Sequence, residues 1–62
     1  MINFLTVSRS TAPRAIARGF RYVVTAEYAD GYEVLSYHKI KAEAFAALQR
    51  YEAADARGEA VS

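Results

Sequence analysis

Between residues 20 and 40 the chain repeats one pattern on either side of a single dipeptide. Residues 20–29 and 32–40 are both rich in Tyr, Val, Thr, Leu and Ile, and they flank Asp30-Gly31. Such runs favour extended backbone, and Asp-Gly supplies the two positive-φ positions of a type I′ turn. A β-hairpin is therefore the element around which everything else must be arranged. With Asp30 and Gly31 as the whole loop, Tyr22, Val24, Ala26 and Tyr28 stand opposite Lys39, Tyr37, Leu35 and Glu33 on one face. Arg21, Val23, Thr25 and Glu27 stand opposite Ile40, His38, Ser36 and Val34 on the other. The first face is mostly large and apolar and should meet the core; the second should be at least partly open. This division depends on the loop length, because a slip of one residue reverses a strand's faces.

The flanks supply what the hairpin needs to bury itself. Residues 2–7 form a short β-branched and aromatic run that reads as a third strand. Pro13 suits the first turn of a helix and Gly19 suits its end, so residues 13–18 read as a short helical turn. Residues 41–56 contain abundant Ala and no Gly or Pro. Ala44, Phe45, Leu48, Tyr51 and Asp55 trace a helical stripe there, apolar through its first three turns. Glu43 near the start and Arg57 beside the end suit the helix dipole. Gly58 should end the helix, and residues 59–62 should fray. The expected architecture is α+β: an antiparallel sheet of two to three strands packed on one C-terminal helix. Phe45, Leu48 and Tyr51 would rest on Tyr22, Val24, Leu35 and Tyr37.

Sixty-two residues allow one small domain. A chain this short buries only about 60% of the surface its unfolded form exposes. It contains no cysteine, which excludes disulfide staples and thiolate zinc sites. Stability must come from packed secondary structure or from association. No apolar stretch approaches the roughly 20 residues of a membrane span. The start of the chain reads as having no leader, so the expected compartment is the cytoplasm.

The formal net charge of +1 hides an asymmetry. Residues 1–26 carry Arg9, Arg14, Arg18 and Arg21 and no acid. Residues 27–62 carry four cations against seven carboxylates, a net −3. The front half can face something acidic. Arg14 and Arg18 share one face of a helical turn, and Arg21 opens the next strand close by. Together they can grip phosphates or a partner's carboxylates bidentately, or serve only as a solvated basic loop.

Catalytic and cofactor chemistry find little footing. His38 is the one side chain with an ordinary pKa near neutrality, and Ser36 or Glu27 would be its neighbours. Alternate residues on a strand, however, form neither a nucleophile elbow nor an oxyanion hole. No metal-ligand spacing occurs, and the isolated glycines make no phosphate loop. A core of this size leaves no room for a pocket of about 300 Å³, so no cofactor is expected. Five tyrosines are many for this length. Tyr22, Tyr28 and Tyr37 would serve the core; Tyr32, and Tyr51 on the helix, are candidates for the surface. Exposed tyrosines beside arginines compose protein interfaces and also stack on single-stranded bases.

Residues 20–52, FRYVVTAEYADGYEVLSYHKIKAEAFAALQRYE, resemble the hairpin-plus-helix of the arm-type DNA-binding domains at the front of phage integrases. Those domains run strand, turn, strand, then a helix that begins with Lys, Ala and Glu, as Lys41, Ala42 and Glu43 do here. The resemblance covers about half the chain and implies a nucleic-acid partner. Glu27 and Glu33 depart from the basic sheet face of that family, and Ile40-Lys41-Ala42 lacks its Ser or Thr cap. No DNA-contacting residue is carried over. In size and layout the chain is also similar to small phage-encoded inhibitors of host defence, such as anti-CRISPR proteins. That likeness implies a compact, non-enzymatic binder that blocks a surface of a larger protein or complex.

The expected contact surface is the open sheet face with the neighbouring arginines: Arg14, Arg18, Arg21, Thr25, Glu27, Tyr32, Ser36 and His38. Val23, Val34 and Ile40 would exclude water around them. A nucleic-acid module using the same arginines on phosphates, and a homodimer paired through a free strand edge, are the alternatives.

Overall fold

The computed structural model describes residues 2–58. In chain order the elements are β1 (Phe4–Arg9), α1 (Pro13–Ala17), β2 (Tyr22–Tyr28), β3 (Gly31–His38) and α2 (Lys41–Ala56). The strands form one antiparallel sheet in the order β1-β2-β3, which makes the first strand of the hairpin the central one. The α+β architecture follows the expectation. The expected frayed tail, residues 59–62, lies outside the described residues.

β1 sits two residues further along than residues 2–7. Its pairing runs from Phe4 opposite Glu27 to Arg9 opposite Tyr22. As an edge strand it gains backbone hydrogen bonds along its inner side whatever its side chains, so Ser8 and Arg9 are drawn into it. The ladder extends beyond both ends of this pairing. The Asn3 N–H donates to the Glu27 carbonyl at 2.7 Å, and the Ser10 N–H donates to the Arg21 carbonyl at 2.9 Å.

α1 shows why a five-residue helix holds. Pro13 takes the first turn, where a missing N–H costs nothing. At the other end the Gly19 N–H donates to Ile16 at 2.9 Å and the Phe20 N–H donates to Ala15 at 2.9 Å. This is a Schellman closure, and it requires the left-handed φ of +90° that Gly19 adopts.

The hairpin closes differently from the sequence expectation. Tyr28 pairs with Gly31, so the loop residues are Ala29 and Asp30. Among the described residues only glycines have positive φ, so Asp30 does not take its place in a type I′ turn. Tyr32 pairs with Glu27, two steps from the expected register, which leaves each side chain on its expected face. Further along, Thr25 pairs with Val34 while Val24 pairs with Ser36. Leu35 is the extra residue of a β-bulge, and beyond it the faces of β3 are exchanged. Ser36 and His38, expected on the open face, turn towards α2. Tyr37, expected in the core, turns away from it.

The core is small and closely packed. Val24, Ala26, Ala44 and Ala47 are essentially inaccessible to solvent. Val7, Tyr22, Leu35, Leu48 and Tyr51 pack around Val24, Ala44 and Ala47. Alanines at the contact let the helix backbone lie close to the sheet. The helix is seated on its Ala44–Ala47–Leu48–Tyr51 face, which turns Phe45 aside and leaves it 46% exposed. Phe45 is thus the one misplaced member of the expected apolar stripe. No helix among the described residues is long and apolar enough to cross a membrane.

Candidate functional site

α2 covers one face of the sheet. On the other, the pairing sets Phe4 beside Glu27 and Tyr32, Thr6 beside Thr25 and Val34, and Ser8 beside Val23 and Tyr37. Phe4, Tyr32, Val34 and Tyr37 are large and solvent-exposed, with Tyr32 at 72%. Scattered apolar residues are ordinary on a surface, but four on one side of a three-stranded sheet form a patch. Val23, at 8% exposed, lies in a concavity of about 260 Å³ lined also by Thr25, Tyr32, Val34, Tyr37 and residues 8–12. Ser10 holds that rim in shape, its Oγ accepting the Ala12 N–H at 3.3 Å.

A second concavity, of about 410 Å³, adjoins the first at Ala12 and Tyr37, and Arg14, Ala15, Arg18 and Phe20 complete its lining. Its volume exceeds what the sequence led us to expect. The space is an open surface hollow between α1 and the sheet, so it takes nothing from the core. The spacing of four residues sets both Arg14 and Arg18 towards it. Lys39 adds a third cation, with Nζ 5.4 Å from the centroid of the Phe20 ring, a cation–π distance. Aromatic walls with cations at the rim give a hollow suited to an apolar group beside an anion.

Of the residues singled out from sequence, Thr25, Glu27 and Tyr32 lie on the open face, and Arg14 and Arg18 line the adjoining hollow. Arg21 is exposed just ahead of β2, where its N–H donates to the His38 carbonyl at 3.0 Å. Val34 belongs to the open face as expected. Ser36 and His38 do not belong to this surface. Phe4, Phe20, Tyr37 and Lys39 do, although sequence reasoning did not place them there. For Tyr37 and Lys39 the missing information was the bulge at Leu35.

On the helix side Ser36 Oγ lies 2.7 Å from His38 Nε2. His38 also borders a cleft of about 280 Å³ with Glu43, Ala46 and Arg50. The hydrogen bond satisfies two half-buried polar groups under the edge of α2. Among the described residues there is no cluster of three or more metal-ligating side chains.

Charge follows the long direction of the sheet. Arg9, Arg14, Arg18, Arg21, Lys39 and Lys41 gather where β2 begins. Lys41 borders a cleft there with Arg9 and Tyr22. Glu27, Asp30 and Glu33 gather at the hairpin turn, and Glu52 and Asp55 come beside the start of β1. Glu43 and Arg50 on α2, and Arg57 just past its end, depart from this division. The Tyr28 phenol reports the acidic end: desolvation, then the charge and hydrogen bond of Glu33, then the charge of Asp55, raise it above its ordinary value.

Comparison with known proteins finds no match: no family model fits the chain, and no curated protein or solved structure is significantly similar to it.

Proposed function

We propose that this chain is a small non-enzymatic binding protein that occupies a surface of a larger protein or complex. Its contact surface would be the open sheet face together with the hollow beside α1. The observation that carries the reading is the uncovered face itself. A chain whose fully buried side chains are small leaves Phe4, Tyr32, Val34 and Tyr37 in solvent on one side, next to Arg14 and Arg18. Aromatic anchors with flanking arginines are the composition in which interface energy concentrates. The mechanism is occlusion. Tyrosine rings displace water from an apolar patch on the partner, and the arginines pair with carboxylates at its margin. The scale and layout shared with phage-encoded inhibitors of host defence support an inhibitory role.

A nucleic-acid partner is the second reading, and the hollow favours it: Phe20 and Tyr37 can stack a base while Arg14, Arg18 and Lys39 hold phosphates. Capture of partners from a host-type lysate by the tagged chain, with and without nuclease, separates the two. A stoichiometric protein retained after nuclease, and lost with Tyr32→Ala, supports the protein reading. Binding that vanishes with nuclease, and weakens roughly tenfold or more across physiological salt, supports the nucleic-acid reading.

A further inference from the structure

We infer that in the free protein the open sheet face is covered by a second copy of the chain, stacked face to face about a two-fold axis. The inference rests on reading that face as a protein-binding surface and names what fills it when no other partner is present.

A two-fold interface must be self-complementary: each residue meets its counterpart's opposite. This face has the required layout. Its acidic end carries Glu27 and Asp30 beside the exposed Tyr32. Its basic end carries Arg14, Arg18 and Lys39 around Phe20 and Tyr37. Thr6, Thr25 and Val34 lie between. Tyr32 stands opposite Glu27 and Tyr37 opposite Val23, so the two ends lie four pairing steps apart along the sheet, about 14 Å. A second copy turned by 180° about an axis that lies in the interface, perpendicular to the strands at the middle of the face, brings Tyr32 and Asp30 of each chain to the hollow of the other. Both charge contacts are then made twice, and the Thr6–Thr25–Val34 middle is covered once.

The dimensions agree. The chain is a plate of 34 × 24 × 14 Å, so its broad side spans at most on the order of 800 Å², and a second copy covering the sheet face and the adjoining hollow would use most of the share each partner brings to a standard interface. Two sheets stacked in this way pack about 10 Å apart, as in β-sandwiches. The arrangement also gives a chain with a small core the additional burial that short domains need.

The test is the mass of the full 62-residue chain in solution, by light scattering and sedimentation over a wide concentration range. We expect twice the 6.9 kDa chain mass, with a dissociation constant that rises roughly tenfold between low and high salt. Two charge-reversed variants are then compared. Arg14→Glu/Arg18→Glu puts two carboxylates in the hollow that receives the turn of the other copy, and Glu27→Lys/Asp30→Lys puts two lysines at that turn. Each alone should run as a monomer, and an equimolar mixture should return the dimer. Circular dichroism checks folding; if Glu27→Lys disturbs the sheet, Asp30→Lys alone, at an exposed turn, takes its place. A wild-type chain that stays monomeric up to millimolar concentration overturns the inference. So does a dimer that survives both variants, which would be paired through a strand edge. A monomer that still captures a protein through Tyr32 would overturn the dimer and leave the proposed function standing. A face-to-face dimer without any captured protein would do the reverse.

Discussion

Tyr32 and Tyr37 project from the same face of β3 although they stand five positions apart. In a regular strand an odd separation sends two side chains to opposite faces. Here Leu35 is inserted between Val34, opposite Thr25, and Ser36, opposite Val24, and the alternation is reversed once. The bulge therefore builds the aromatic part of the open surface, and it turns Ser36 and His38 under α2. Bulges recur where a side chain has to be re-aimed.

Deleting Leu35 should undo this arrangement. Without the extra residue Tyr37 would be driven into the helix interface and Ser36 out of it. We expect loss of the cooperative unfolding transition, measured by urea titration. The point variant Leu35→Ala keeps the bulge and loses only packing against Val24, Ala44 and Ala47. It should cost about 1–3 kcal/mol and leave the fold in place.

The close seating of α2 makes Ala47 intolerant of bulk. Ala47→Leu should destabilise the protein by about 1–3 kcal/mol through overpacking, seen as a lower thermal midpoint. The same change at Ala46, which is exposed, should be nearly neutral.

The start of α2 invites a gain. Ile40 is the N-cap residue and makes no side-chain capping bond, and at 56% it is well exposed. Ile40→Ser would create the sequence Ser-Lys-Ala-Glu with Glu43 at the third helical position, a capping box. A stabilisation of about 0.5–1 kcal/mol is expected in chemical denaturation.

Tyr28 makes stability fall in alkali. Its hydroxyl donates to Glu33 Oε1 at 3.3 Å, and its pKa in the folded chain is raised above the usual 10.0. The folded state therefore holds the phenolic proton more tightly than the unfolded state does. The associated stability is fully present below pH 10 and is lost as pH rises from there through the folded-state value. Tyr28→Phe should flatten that part of the stability–pH curve. An unchanged alkaline slope would contradict the assignment.

How far the fold could be read in advance follows from the kind of information each element needs. α2 begins at Lys41 and ends at Ala56 as expected, because Ala content and Gly58 are local signals. α1 was legible for the same reason, from Pro13 and Gly19. The faces of β2 were also legible, since Tyr22, Val24 and Ala26 alternate with Val23 and Thr25. The far half of β3 was not. A bulge answers to the fit of Leu35 against α2, which is a tertiary demand without a local sequence signature. Phe45 failed similarly: the rotation of α2 is decided by the close contact at Ala44 and Ala47, and the largest apolar side chain lost to the two smallest. Of the site, Arg14, Arg18, Thr25, Glu27 and Tyr32 were readable, while the partnership of Phe20, Tyr37 and Lys39 required the bulge.

The central claim, that the open sheet face binds a protein, is tested most directly by comparing wild type with Tyr32→Ala/Tyr37→Ser in nuclease-treated capture, with thermal unfolding measured alongside. Both side chains point away from the α2 core, so the account predicts a variant that still unfolds cooperatively and no longer retains the stoichiometric protein held by wild type. A folded variant that retains that protein undiminished would contradict it.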